Sequence, residues 1–193
     1  MEPKIKVLGF AGSLRKGSYN KALLRAALEL VPDNMSLEIL DLEGLPLFNQ
    51  DLENDPPPKL REFKSKIKAA DAILIASPEY NYSIPGVLKN ALDCASRPYG
   101  DNVLSGKPVA IMGASMGMTG TARAQYHLRQ SFVFLNMYAV NSPEIMVPYA
   151  SEKNFPEGRL ADQKTRDLIR QLLVSLADWT IRLRGGQELK KAA

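Results

Sequence analysis

The stretch that most constrains this chain is residues 5–20, IKVLGFAGSLRKGSYN. Ile5 to Phe10 is a nearly continuous apolar run, the pattern of a parallel strand buried on both faces. A loop of mostly small residues follows, Ala11 to Ser18, and Asn20 opens an apolar helix. A strand leading through such a loop into a helix N-terminus presents backbone N–H groups and the positive end of a helix dipole to an anion. Ser13, Ser18 and Asn20 add neutral donors and Arg15 a charged fork. The P-loop is excluded: Gly12 and Gly17 have its spacing, but Ser18-Tyr19 stands where Lys-Ser or Lys-Thr is required. The dinucleotide fingerprint is absent as well, because Ala11 occupies the place of its second glycine. A hydroxyl-lined loop with one arginine suits a terminal monoester phosphate, such as that of FMN. A plain βα connection rich in turn residues has the same composition, so this loop alone does not decide.

The rest of the chain repeats the alternation. Helices are expected over Asn20–Val31, after Pro56-Pro57-Pro58 (Leu60, Phe63, Ile67 and Ala70 on one face), from Ser83 to Ala95, over Thr121–Phe134, and over 162–184. Ser83 is the expected N-cap of the third, with Pro85 in its first turn. Strands are expected at Ser36–Leu40, Ala72–Ala76 and Pro108–Gly113. Tyr138–Val140 together with Glu144–Val147 supplies a fifth, and a polar loop occupies 150–161. Strands alternating with helices define an α/β fold. The expected form is a flavodoxin-like three-layer sandwich with a five-stranded parallel sheet of order 2-1-3-4-5. One domain over 1–184 is expected, with 185–193 a flexible tail. In such sheets a ligand lies beyond the carboxyl ends of the strands, which here points to the loops 11–19, 77–83 and 114–120.

Composition excludes several classes. No apolar run approaches the length of a transmembrane helix. Met1-Glu2-Pro3-Lys4 leads directly into the first strand, so no signal peptide is expected, and the single cysteine, Cys94, forbids an internal disulfide; the expected location is the cytoplasm. One histidine and one cysteine argue against a metal site. The net charge of +4 is mild, but no acidic residue lies between Asp101 and Glu144 while Lys107, Arg123 and Arg129 do. That region attracts anions. No basic run is interleaved with aromatics, which disfavours nucleic acid.

The second loop, Ser77 to Gly86, places Tyr80, Asn81 and Tyr82 between prolines, a rigid platform for a flat heteroaromatic ring. With G-S-L-R-K-G-S-Y-N after strand 1 and P-E-Y-N-Y-S-I-P-G-V-L-K-N-A-L-D after strand 3, the chain resembles the NAD(P)H-dependent FMN reductase family. S-M-G-M-T-G-T-A-R-A-Q-Y-H-L-R-Q is similar to its chromate and quinone reductase branch. The resemblance covers about residues 4–147. It implies bound FMN, NADH or NADPH as hydride donor, homodimers or homotetramers, and two-electron reduction of quinones and other small acceptors such as chromate or ferric chelates. On the matching positions, Ser13, Arg15, Ser18, Tyr19 and Asn20 would hold the phosphate. Pro78, Glu79, Tyr80 and Asn81 would line the isoalloxazine, and Ser115 and Gly117 would approach its other edge. The backbone N–H groups of 114–120 are the expected stabilisers of the reduced ring's charge. No side chain is assigned a catalytic role, because the flavin itself carries the hydride. Arg123, Tyr126 and Gln130 share one face of the fourth helix, which reads either as a solvated polar stripe or, as the resemblance implies, as a subunit contact reaching Glu144 or Tyr82 of a neighbour. Cys94 departs from the tryptophan common at its position in the family.

Two rivals belong to other classes. Gly113-Ala-Ser115-Met-Gly117 fits the nucleophile elbow of a serine hydrolase, but the only histidine is His127, with no carboxylate between it and Ser115. A flavin-binding electron carrier or interaction protein shares the fold, yet such carriers are commonly acidic and this chain is basic.

Overall fold

The computed structural model describes residues 4–192, with side chains through residue 186. Its first apolar run forms β1, Ile5–Ala11, buried at every residue except Lys6. β1 pairs in parallel with β2, Met35–Ile39, on one side and β3, Ala72–Ala76, on the other. β3 pairs with β4, Pro108–Ala114, so the central strands run β2-β1-β3-β4. The order is the expected one.

Alternate residues of these strands feed two cores, as a pleat of period two requires. Val7, Leu74, Ala110 and Met112 face α1, Tyr19–Glu29, and α5, Gln163–Ala192. Leu8, Phe10, Ile73, Ile75, Val109 and Ile111 face the opposite way. They meet α2, Pro58–Ala69, α3, Gly86–Ala95, and α4, Ala122–Leu135. Helix–sheet–helix layering follows directly from strands that are apolar on both faces.

Several boundaries differ from expectation. The fifth strand is divided: β5, Tyr138–Ala139, pairs with the start of β4, and β6, Ile145–Val147, with its end. Pro143 lies between them and has no N–H for the ladder. α1 begins at Tyr19 because Ser18 is its N-cap, its hydroxyl accepting from Lys21 N at 3.4 Å. Ser83 does not cap α3; Pro85 precedes the helix without a side-chain bond. The segment 150–161 is not simply polar, since Phe155 is fully buried and packs on Tyr19 with ring centroids 4.8 Å apart. α5 continues past the expected end at 184 to Ala192, and Ala193 lies outside the described residues. No described helix is long and apolar enough to cross a membrane.

Gly113 is where β4 approaches its neighbours most closely. A Cβ there would collide with Thr121 Oγ1 and lie 2.5 Å from the Ser77 carbonyl oxygen, a backbone atom that cannot rotate away. Gly113→Ala is therefore expected to lower unfolding stability by about 1–3 kcal/mol, the usual cost of overpacking. Urea denaturation that finds the variant as stable as wild type would show that strand and loop can separate freely.

Candidate functional site

β1, β3 and β4 end at one rim, and three loops leave it: 12–18, 77–85 and 115–121. The strand ladders carry into them, with Gly12 N donating to Ala76 O at 2.9 Å and Ser77 N to Met112 O at 3.0 Å. Gly12 also lies against α3: a Cβ there would come within 3.1 Å of Leu88 Cδ2.

In the first loop Ser13 and Ser18 are buried and Arg15 is exposed. Arg15 N donates to Ser13 Oγ at 3.4 Å, and Ser18 N to Arg15 O at 3.1 Å, which curls the loop over the start of α1. The Arg15 guanidinium stands 5.1 Å from the Tyr19 ring centroid. It makes no ion pair among the described residues, and the first turn of α1 contains no acidic residue. A cation and two hydroxyls beside a helix N-terminus, with no carboxylate competing, is a donor set that fits a phosphate monoester. Asn20 is used differently from Ser13 and Ser18. Its buried amide donates to Ala114 O and accepts from Ala114 N, both at 2.9 Å, and so locks the first loop to the end of β4.

The second loop is a tight turn. Tyr80 and Ser83 exchange both backbone hydrogen bonds, at 3.1 and 2.9 Å, around Asn81 and Tyr82, whose φ angles are 49° and 65°. Asparagine tolerates the left-handed region; tyrosine enters it at a cost. Pro78 is buried, and its carbonyl accepts from Ser77 Oγ at 2.8 Å. Tyr80 and Tyr82 are exposed. The Glu79 side chain does not point into open space. One oxygen accepts from Arg123 N at 3.0 Å and Ala124 N at 3.2 Å, and the other pairs with Arg123 Nε. Glu79 thus caps α4 from a distant loop, since Thr121 makes no side-chain cap bond.

The third loop is pinned to β6 and the segment after it. Ser115 N donates to Val147 O and Ala150 N to Ser115 O, while Ser115 Oγ accepts from Gly117 N at 3.1 Å. Of the amides expected to face a ring, those of Ser115 and Gly117 are thus already engaged, because the loop folds back on β6. Met116 and Met118 are exposed on either side of Gly117. The histidine ring bonds Ser83 Oγ through Nδ1 at 2.9 Å, not Ser115, which removes the hydrolase arrangement.

Of the expected subunit contacts, Arg123 and Tyr82 meet within one chain, the guanidinium carbon 3.6 Å from the ring centroid. The second loop folds within reach of α4. Tyr126 and Glu144 are exposed. Sequence reading missed Gln125, fully buried, whose Nε2 donates to Thr121 Oγ1 and to Ile145 O and joins α4 to β6. Its signal was a position between Ala124 and Leu128, on the apolar face of the helix. Cys94 lies buried away from the loops, its thiol 3.8 Å from Pro46 O. No cluster suited to a metal occurs among the described residues.

A parallel sheet wound in this order, with three loops gathered at one rim beside a helix N-terminus, defines the flavodoxin-like α/β class. Residues 5–152 match the profile described as NADPH-dependent FMN reductase, and the chain belongs to that family. It is 54% identical over 186 residues to an NAD(P)H-dependent FMN reductase of Pseudomonas aeruginosa, covering 96% of this chain and 100% of the relative. It is 43% identical to a 2-hydroxy-1,4-benzoquinone reductase of a Burkholderia species, covering 91% and 96% of the two chains. The solved structure of FerB, a flavoenzyme NAD(P)H:(acceptor) oxidoreductase from Paracoccus denitrificans, superposes with a TM-score of 0.84 at 34% identity, covering 92% of this chain and 98% of that one.

Burial, with the nearby Asp93 carboxylate adding to it, pushes the Cys94 thiol up to about 11 from an ordinary 9.0. The native thiol therefore keeps its proton where the unfolded chain loses it, so its contribution to stability falls as pH rises from 9.0 to about 11. Iodoacetamide at pH 8 should leave Cys94 unmodified in folded protein and alkylate it in urea, as read by intact mass. Rapid labelling of the native chain would contradict the packing against Pro46.

Proposed function

We propose that the chain binds one FMN across the three rim loops and uses NADPH or NADH to reduce quinones by two electrons. The observation that carries this reading is Arg15, a cation without a carboxylate partner among the described residues, set with Ser13 and Ser18 at the N-terminus of α1. These residues, with Tyr19 beside Arg15, hold the phosphate. Asn20 fixes the loop that presents them. Pro78, Tyr80 and Asn81 line the ring on one side, with Glu79 bracing them from behind, and Ser115 and Gly117 stand at the other edge.

Bound FMN supplies a two-electron hydride relay, so the protein's part is to bind, orient and admit partners. The exposed side chains of Tyr80, Tyr149, Met116 and Met118 surround the rim with flat or adaptable apolar surface, and the carboxylate of the rim loops, Glu79, is committed to Arg123 and the first amides of α4. Such a rim suits planar, neutral or anionic acceptors, with quinones first and chromate or ferric chelates as further candidates. The relatives named as quinone reductases support the same choice. A homodimer or homotetramer in the cytoplasm completes the proposal, and the exposed Val133 and Phe134 of α4 offer apolar surface for a second copy.

Purified protein should be yellow or take up FMN, and NADPH without oxygen should bleach its visible bands; colourless protein that refuses added flavin would sink the reading. Arg15→Ala should weaken FMN by about 1.5–3 kcal/mol, the range for a hydrogen bond to a charged group, on fluorescence titration. Ser115→Ala should retain most NADPH-dependent quinone reduction in a steady-state assay, because its hydroxyl accepts a bond from Gly117 and attacks nothing.

A further inference from the structure

One guanidinium joins two of the rim loops. Arg123, near the start of α4, pairs through Nε with Glu79 and donates to Thr119 Oγ1 at 2.9 Å. Its guanidinium carbon lies 3.6 Å from the Tyr82 ring centroid. Glu79 and Tyr82 belong to the second loop and Thr119 to the third. The Glu79 side chain is only 5% exposed, so its charge is fully committed to Arg123 and the first amides of α4.

The turn beneath this guanidinium is one that the backbone resists. Asn81 and Tyr82 both adopt positive φ, at 49° and 65°, where the second position of such a turn ordinarily calls for glycine. Strained backbone persists only where its surroundings over-determine it. The paired Tyr80 and Ser83 amides supply one restraint. The stacked cation on Tyr82 supplies the other.

We propose that Arg123 is a positioning residue: by bridging Glu79 and Thr119 and stacking on Tyr82, it holds the Tyr80–Ser83 turn in its left-handed form and fixes the ring side of the flavin site. The proposal rests on the FMN reading above and adds a division of labour to it. Arg15 serves the phosphate end, and Arg123 serves the ring end without touching it. Lysine would replace Arg123 only in part, because a point charge keeps the attraction to Glu79 but cannot satisfy two acceptors in one plane while lying flat on an aromatic face.

The test compares FMN with riboflavin, which lacks the phosphate, in wild type, R123A, R123K, R15A, Y82G and Y82G/R123A. Affinities come from fluorescence titration, the ring environment from circular dichroism of the flavin visible band. R123A should weaken both flavins by the same factor, about tenfold, and change the visible band. R123K, which keeps the charge, should show the same pattern at smaller amplitude, whereas R15A should weaken FMN alone. Glycine adopts positive φ freely, so in the Y82G background the R123A change should cost less than about threefold. Unchanged riboflavin affinity and an unchanged band in both R123A and R123K overturn the proposal. If light scattering then shows a smaller assembly, Arg123 is a subunit contact instead. An R123A penalty undiminished by Y82G overturns it too. Wild-type protein that takes up neither flavin overturns the site reading itself, and this proposal with it.

Discussion

The reciprocal pair of hydrogen bonds between the Asn20 amide and the main chain of Ala114 sets the geometry of the rim. Parallel strands are joined only through crossover helices, so nothing in the sheet itself obliges the loop after β1 to meet the loop after β4. A buried amide that satisfies both main-chain polar groups of one residue supplies that obligation. If the contact were lost, both bonds would leave their polar atoms in a dry interior without these partners, and orphaned buried groups cost more than the bonds contribute when made. Gly12 packing on Leu88 and Gly113 on Ser77 finish the assembly, each at a place where a side chain would hold two elements apart.

What the sequence made legible was what depends on periodicity and composition. Ala72–Ala76 is continuous and apolar, and it forms a central strand with the expected ends. The order of the sheet followed from alternation and handedness. The small-residue loop before Tyr19 announced a helix N-terminus, which Ser18 caps. What stayed hidden depends on contacts between distant residues. Nothing near Glu79 in sequence announces that it caps a helix more than forty residues on. Asn20 read as one more donor because its partner, Ala114, offers only backbone, which carries no compositional mark. Ser83 looked like an N-cap by spacing, but its pairing with Tyr80 takes it into the turn before the helix starts. Phe155 sits in a segment whose neighbours are polar, yet it is buried in the core that α1 and α5 share and packs on Tyr19.

The three loops differ in how they are held. The first is shaped by helix geometry and the third by its ladder to β6, both inexpensive for the backbone. The second keeps two residues in the left-handed region and depends on side chains from α4 and the third loop for support. Strain confined to one loop of the rim is informative, since relaxed turns would be the default where no constraint operates.

The divided fifth strand also shapes how the molecule meets others of its kind. A long open margin of a sheet is a template on which another chain can add itself, amide by amide. Here that margin is broken into pieces of two and three residues, and the indole of Trp179 donates to the Tyr138 carbonyl at 3.2 Å. Too few consecutive peptide groups remain in line to nucleate a foreign strand. A domain built on a largely apolar parallel sheet is thereby protected from fibrous self-addition at the very side where its ladder stops.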